Sequence, residues 1–211
     1  MIKLTALNKS RVFLFSILAL LALYVFVVQE FLFLQHNTER LNRYRAMSVF
    51  LVPHAILGFI ALVVGPFQFS TTLRKKNLAL HRRLGKIYII AILLAFPFAV
   101  LININYPIPG AKITFVMENM IQASVWAFTA AMAWVAAAKR QITLHKMWVA
   151  RSYGITLVFV LSRIYNPMQF FINKPDINDF THFLWLLVVL ALIIPDILVF
   201  NKELFTARKK G

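Results

Sequence analysis

The sequence predicts an all-α membrane protein, in which six transmembrane helices form one bundle over residues 1–211. Hydrophobic residues make up 61% of the 211 residues, whereas soluble domains contain about 45–50%. The mean hydropathy is +0.75. The apolar residues are grouped in stretches of about 20, which is the length that a membrane-spanning helix needs. A short repeat, described below, further predicts that the four central helices are two hairpins of the same orientation.

Six stretches are long enough, or nearly long enough, to span a bilayer. They cover residues 12–34, 48–70, 87–105, 116–138, 147–170 and 183–200. The first is interpreted as a retained anchor, because it is longer than the apolar region of a signal peptide and lacks a small-x-small cleavage site. The core is expected at residues 48–170, with the first and last helices at its periphery.

The basic residues predict the orientation of the bundle. Lys and Arg number 23 against 7 Asp and Glu, for a net charge of +16. If six helices alternate, most of the bases between the spans fall on one side with both termini, and the positive-inside rule makes that side cytoplasmic. Bases at this surface favour anionic lipids as partners. Nucleic acid is not expected as a partner, because no soluble stretch is long enough to form a basic binding face.

The chain contains no cysteine, which excludes disulfides, thiolate-bound metals and iron–sulfur clusters. We predict no metal site. The sequence also lacks Gly-x-Ser-x-Gly, His-Glu-x-x-His and a glycine-rich phosphate loop, so it gives little support to hydrolytic chemistry. Whether the protein is an enzyme is left open.

Two segments, Lys75–His81 (KKNLALH) and Lys139–His145 (KRQITLH), are close copies of one another. Aligning the two histidines gives an offset of 64 residues, which pairs Tyr88 with Ser152 and His54 with Glu118. Two hairpins related in this way would form a parallel internal repeat about an axis along the membrane normal. The alternative is a chance likeness between two basic connections.

The repeat places two histidines at equivalent depth, and it predicts an inner site near the cytoplasmic face. The residues expected to bind a cofactor there are His81, Arg82, His145, Trp148, Arg151 and Ser152. Arg151 is also the expected partner of Asp196 in a structural ion pair. On the fifth span, a polar stripe at helical spacing comprises His145, Trp148, Ser152, Thr156, Phe159 and Arg163.

An outer polar cluster is predicted from His54, Glu118 and Arg163. A guanidinium as deep as Arg163 normally faces a bundle interior or an aqueous cavity, although it can also snorkel to the head groups. His54 shares a face of the second span with Gly58, Ala61, Gly65 and Gln68. Small residues on that face let a helix or a flat ligand approach closely.

These motifs resemble a prokaryotic family of predicted integral membrane proteins, known only as a domain of unknown function. The resemblance covers residues 50–170 and rests on four motifs, with Val149 replacing an expected methionine. The motifs are His54-x-x-x-Gly58, Gly65-x-x-Gln68, His81-Arg82-x-x-Gly85 and His145-x-x-Trp148-x-x-Arg151-Ser152-Tyr153, the last together with Arg163. The resemblance implies a multi-helix protein of the bacterial cytoplasmic (inner) membrane. The architecture is also distantly similar to transmembrane b-type cytochromes, in which histidines of alternate helices bind haem.

Three functional hypotheses follow. The first is a membrane redox protein, in which His81 and His145 bind a b-type haem or a quinone near the cytoplasmic face. The second is a transporter or binding protein for an anionic or amphipathic small molecule. In the third, the histidines are interfacial anchors of a non-catalytic membrane subunit.

Overall fold

The described part of the chain is helical throughout, as the sequence predicts. The computed structural model describes residues 38–107, 113–162 and 177–206. Its helices are α1 (Thr38–Gln68), α2 (Thr71–Lys76), α3 (Leu78–Asn105), α4 (Ile113–Ala138), α5 (Ile142–Ser162) and α6 (Ile177–Thr206). The first predicted span, residues 12–34, lies outside the described residues. The predicted fold class, an all-α membrane helix bundle, is confirmed.

Four of these helices are long and apolar enough to cross a bilayer. The four spans are Leu41–Gln68, Leu78–Asn105, Ile113–Ala138 and Phe180–Ile197. Large apolar side chains are exposed along them, including Val49 at 73% and Ile104 at 64%. Exposed apolar surface on this scale is stable against lipid and not against water. The bundle therefore belongs in a lipid bilayer.

Helix α5 has 21 residues and is not among the four apolar spans. It carries Lys146 and Arg151 as well as a row of polar side chains. Its surroundings explain how these are tolerated, because α5 packs against both α4 and α6, and α4 also packs against α3. A polar helix is suited to the interior of a bundle, where other helices cover it.

The contacts divide the chain into two units, Met1–Ala46 and Met47–Gly211. In the first unit the structure describes only the beginning of α1. The second unit contains one core, formed by buried apolar residues of α1, α3, α4, α5 and α6. Ala61, Ile92, Ala95, Ala130 and Ala133 are fully buried in it. Small residues dominate this group, which is typical of closely packed membrane helices.

The two repeated segments form equivalent helix starts. Asn77 accepts a side-chain hydrogen bond from Leu80 N (2.9 Å) and so caps α3. The backbone N–H of His81 donates to Asn77 O (3.1 Å), and that of His145 donates to Gln141 O (2.9 Å). Asn77 and Gln141 are again 64 residues apart, so both histidines lie in the first turn of their helices.

The connection between α4 and α5 is only three residues long, Lys139–Gln141. Arg140 takes a positive φ of 57° there, a left-handed conformation that commonly ends a helix. The N–H of Gln141 donates back to Ala136 O (2.9 Å). We call the end of the bundle that holds this turn and α2 the basic end.

Two glycines allow close helix contacts in the second unit. A Cβ atom at Gly154 of α5 would lie 2.5 Å from Ala191 O of α6, so the two backbones touch there. A Cβ atom at Gly65 of α1 would overlap the Tyr153 ring and lie 3.2 Å from the Tyr88 ring. Helices α5 and α1 can approach their neighbours this closely only because these positions lack side chains.

Candidate functional site

Both histidines of the predicted inner site lie at the basic end. His81 is in the first turn of α3 and His145 is in the first turn of α5, and both are partly buried. The charged or titratable groups close enough to act electrostatically on the His81 ring are His145, Arg74 and Arg82. The structure therefore brings the two imidazoles into one neighbourhood, surrounded by positive charge.

The His145 ring is fixed by α4. Its Nδ1 atom lies 2.9 Å from Ala133 O, which orients the ring and makes Nδ1 the protonated nitrogen. The other ring nitrogen, Nε2, is then left as the acceptor or ligand atom. A backbone carbonyl on one imidazole nitrogen is the arrangement that commonly positions a histidine for ligand binding.

The His81 ring has a different environment. Its Nδ1 atom is buried and has no hydrogen-bond partner, and the same is true of Gln68 Nε2 at the end of α1. The Gln68 amide packs on Gly85, one helical turn after His81, because a Cβ atom at Gly85 would lie 3.0 Å from Gln68 Oε1. We call His81 Nδ1 and Gln68 Nε2 the donor pair. Buried polar atoms normally have partners, so these two atoms are candidates for hydrogen bonds to a bound molecule.

Gln68 and Gly85 were not among the predicted site residues, although the resemblance motifs contain both. The signal in the sequence was an amide at the end of an apolar helix, where lipid offers it no partner. What the sequence did not show is that α1 ends against the first turns of α3. The contact between these helices places Gln68 against Gly85, one helical turn after His81.

Arg151 and Trp148 form a contact between helices at the basic end. Arg151 Nε donates to Asp196 Oδ1 (2.9 Å), and its Nη2 donates to Oδ2 of the same carboxylate. This confirms the predicted ion pair. The Arg151 guanidinium also stacks 4.7 Å from the centre of the Trp148 ring, which in turn packs edge-on against Phe128. Both residues of the predicted inner site are thus engaged in joining α5 to its neighbours.

Ser152 belongs to a hydrogen-bonded group in the bundle interior, which we call the tyrosine network (Tyr88, Trp126, Ser152 and Thr156). Tyr88 Oη lies 2.9 Å from Ser152 Oγ and 3.3 Å from Thr156 Oγ1. Trp126 Nε1 donates to Thr156 Oγ1 (2.9 Å), and that hydroxyl donates to Ser152 O (3.0 Å). The network lies about two helical turns deeper than the two histidines. Ser152 therefore faces Tyr88 and not the donor pair.

The predicted outer cluster is only partly described. His54 Nδ1 lies 3.1 Å from Ala95 O, and the ring packs edge-on against Trp126 at 6.4 Å. Glu118 is completely buried, and neither of its carboxyl oxygens has a hydrogen-bond partner. The structure thus does not join His54 to Glu118. Arg163 lies outside the described residues.

Two further observations concern the predicted sites. The polar stripe on α5 is buried at Ser152 and Thr156, but Phe159, one turn further, is 47% exposed. Among residues 38–107, 113–162 and 177–206, no group of three or more His, Cys, Asp or Glu side chains is placed to hold a metal ion.

The apolar spans and the bundle-interior polar groups define this chain as a polytopic α-helical membrane protein. A family model covers residues 51–200, and the chain belongs to that family, described as "Predicted membrane protein (DUF2306)". The function of that family is unknown. The match confirms the resemblance that the motifs predicted. No curated protein and no solved structure matches the chain. The similarity to b-type cytochromes stays a prediction.

Proposed function

We propose that this protein is a quinone-binding membrane protein of the redox class, with its site at the basic end of the bundle. The observation that carries the proposal is the donor pair: His81 Nδ1 and Gln68 Nε2 are buried and have no partner among the described residues, and the Gln68 amide packs on Gly85, one helical turn after His81. Leaving such groups unsatisfied costs about 1–3 kcal/mol each, so a ligand that accepts their hydrogen bonds is stabilised.

A quinone suits these groups chemically. Its head group has carbonyl oxygens that accept hydrogen bonds, from the Gln68 amide and from an imidazole N–H, and its isoprenoid tail is soluble in the bilayer. Arg74 and Arg82, which act electrostatically on His81, would favour the negative charge that reduction places on the head group. The exposed apolar surface of α1 and α3 offers the tail a path along the lipid.

A haem between His81 and His145 fits the geometry less well. Tyr88 fills the space between α3 and α5 about two turns deeper, where its hydroxyl contacts Ser152. A flat macrocycle held by the two histidines would need that space. His145 Nδ1 nevertheless donates to a backbone carbonyl, as the second ring nitrogen of a metal-binding histidine commonly does. The same preparation is therefore examined for haem.

The test is to purify the protein in mild detergent, record its absorption spectrum, and extract and identify the bound quinone. A short-chain quinone is then titrated while the fluorescence of the tryptophans is followed. We expect quenching that saturates, and about a tenfold weaker affinity in His81→Ala or Gln68→Leu, since one lost hydrogen bond of about 1.4 kcal/mol corresponds to that factor.

His182→Ala is the matched control, because His182 is exposed on α6 and lies away from the basic end. It should bind the quinone as the native protein does. Equal affinity in all variants would overturn the proposal. A Soret band lost in His81→Ala would assign a haem instead, and displacement of the quinone by an acidic lipid alone would assign the site to head groups.

A further inference from the structure

Glu118 is a buried carboxyl group for which neither the donor pair nor the tyrosine network has a role. Its side chain has no exposed surface, and both oxygens lack hydrogen-bond partners. Ionising a carboxyl group in such a place is strongly unfavourable, because the charge would lose its hydration without gaining a partner. Acidic residues retained inside membrane helices are rare, and they commonly mark the path of an ion or a proton.

Among the described residues, Glu118 has apolar neighbours and no counterion. It lies on the buried face of α4 between Phe115 and Trp126, and the Phe115 ring packs against Phe180 of α6. The only described ion pair in the second unit joins Arg151 to Asp196, near the opposite end of the bundle. No described side chain forms an ion pair or hydrogen bond with Glu118.

The titratable groups on the outer halves of the neighbouring helices are few. Within the second unit, those whose side chains the structure describes are His54 on α1, Tyr106 at the end of α3 and His182 on α6. His54 is bonded through Nδ1 to Ala95 O, and His182 is exposed. None of the three satisfies a Glu118 oxygen. A metal ion would need more oxygen ligands than one carboxylate supplies, and the described residues around Glu118 form no cluster that holds one.

We propose that Glu118 is a proton-binding site in the outer half of the bundle, which takes up and releases a proton during the working cycle of the protein. On release, the carboxylic O–H bond breaks, its electron pair stays on the carboxylate, and the proton passes to water. The neutral form is the one that the closed, apolar surroundings stabilise. Release therefore requires that water reach this face of α4.

The proposal is tested by infrared spectroscopy of the full-length protein in lipid nanodiscs. A protonated carboxylic acid has a C=O stretching band above the amide I region, and this band shifts to lower frequency in D2O. We expect such a band in the native protein, and we expect it to disappear as the pH is raised and to return on acidification. It should be missing from Glu118→Gln at every pH.

Glu118→Gln keeps the shape and neutrality of the protonated side chain, so it should fold, which circular dichroism checks. Asp196→Asn is the matched control, because it removes a carboxylate that is paired, and the band should persist. A native spectrum without the band, or a band unchanged over the whole accessible pH range, would overturn the proposal. Loss of the band on adding sodium at constant pH would also overturn it, by showing a metal-cation site.

Failure of this proposal leaves the quinone proposal untouched, because the two rest on different residues: the donor pair lies on α1 and α3, and Glu118 lies on α4. We expect Glu118→Gln to bind quinone as the native protein does, because the variant leaves the donor pair intact.

Discussion

Tyr88 and Ser152 are hydrogen-bonded to each other through their side chains at 2.9 Å, and they are 64 positions apart in the sequence. The same offset separates His81 from His145 and Asn77 from Gln141. Such a contact between equivalent residues is expected when two repeated helices lie side by side at the same depth. It agrees with the predicted parallel repeat, in which α3 and α5 are equivalent and which stays a prediction.

The first prediction concerns this contact. Tyr88→Phe removes the hydroxyl from the network and should lower the free energy of unfolding by about 0.5–1.5 kcal/mol, the usual net contribution of one hydrogen bond. Ser152→Ala should cost a similar amount. The double variant should lose less than the sum, because the two changes remove the same bond. Thermal unfolding in detergent measures all three, and strict additivity would contradict the contact.

The second prediction concerns the ion pair between α5 and α6. Asp196→Ala leaves Arg151 without its two-bonded partner, and we expect a loss of about 1–3 kcal/mol, because both side chains are partly exposed and the pair is partly screened. The exchange Arg151→Asp with Asp196→Arg should restore part of this. Lys146→Ala, on the exposed face of the same helix, is the control and should leave the melting temperature unchanged.

The third prediction compares two glycines of α1. Gly65→Ala would push a methyl group into the Tyr153 ring, which also contacts Phe69, so we expect a lower melting temperature and a loss of about 1–3 kcal/mol. At Gly58 no described atom lies within 4 Å of a new Cβ atom. Gly58→Ala should therefore be tolerated, and it should stabilise α1 slightly through higher helix propensity. Equal effects of the two substitutions would argue against the packing of α1.

The fourth prediction separates binding from stability at the donor pair. In Gly85→Ala the new methyl group lies 3.0 Å from Gln68 Oε1 and must displace the end of that flexible side chain. We expect quinone affinity to fall several-fold while the melting temperature stays within a degree or two of native. Fluorescence titration and thermal unfolding of the same sample measure both. A variant that binds as tightly as the native protein would remove Gln68 from the site.

Much of the fold could be predicted from the sequence, because lipid imposes strong rules on it. The length of the apolar stretches predicted the helices, and the predicted spans 87–105 and 116–138 end where α3 and α4 end, at Asn105 and Ala138. The pairing of Arg151 with Asp196 could also be predicted, since two opposite charges at one depth of a bundle are stable only together.

The candidate site could be predicted only in part. The histidines were identifiable because the repeat singled them out, but the role of Gln68 depends on where α1 ends relative to α3, a tertiary contact with no local signature. The repeat alignment paired His54 with Glu118, yet the structure satisfies His54 from the backbone of α3 and leaves Glu118 alone. Equivalence in a repeat predicts depth in the membrane, whereas hydrogen bonding depends on side-chain direction.

The three-residue turn at Arg140 has a consequence for motion. With only three residues between Ala138 and Ile142, the connection limits how far α5 can slide lengthwise past α4. Helix α1 is the least buried of the four spans, at 11%, and it supplies Gln68. Under the proposed function, an outward tilt of α1 would open the donor pair to a molecule in the bilayer, while the short turn holds α4 and α5 in register.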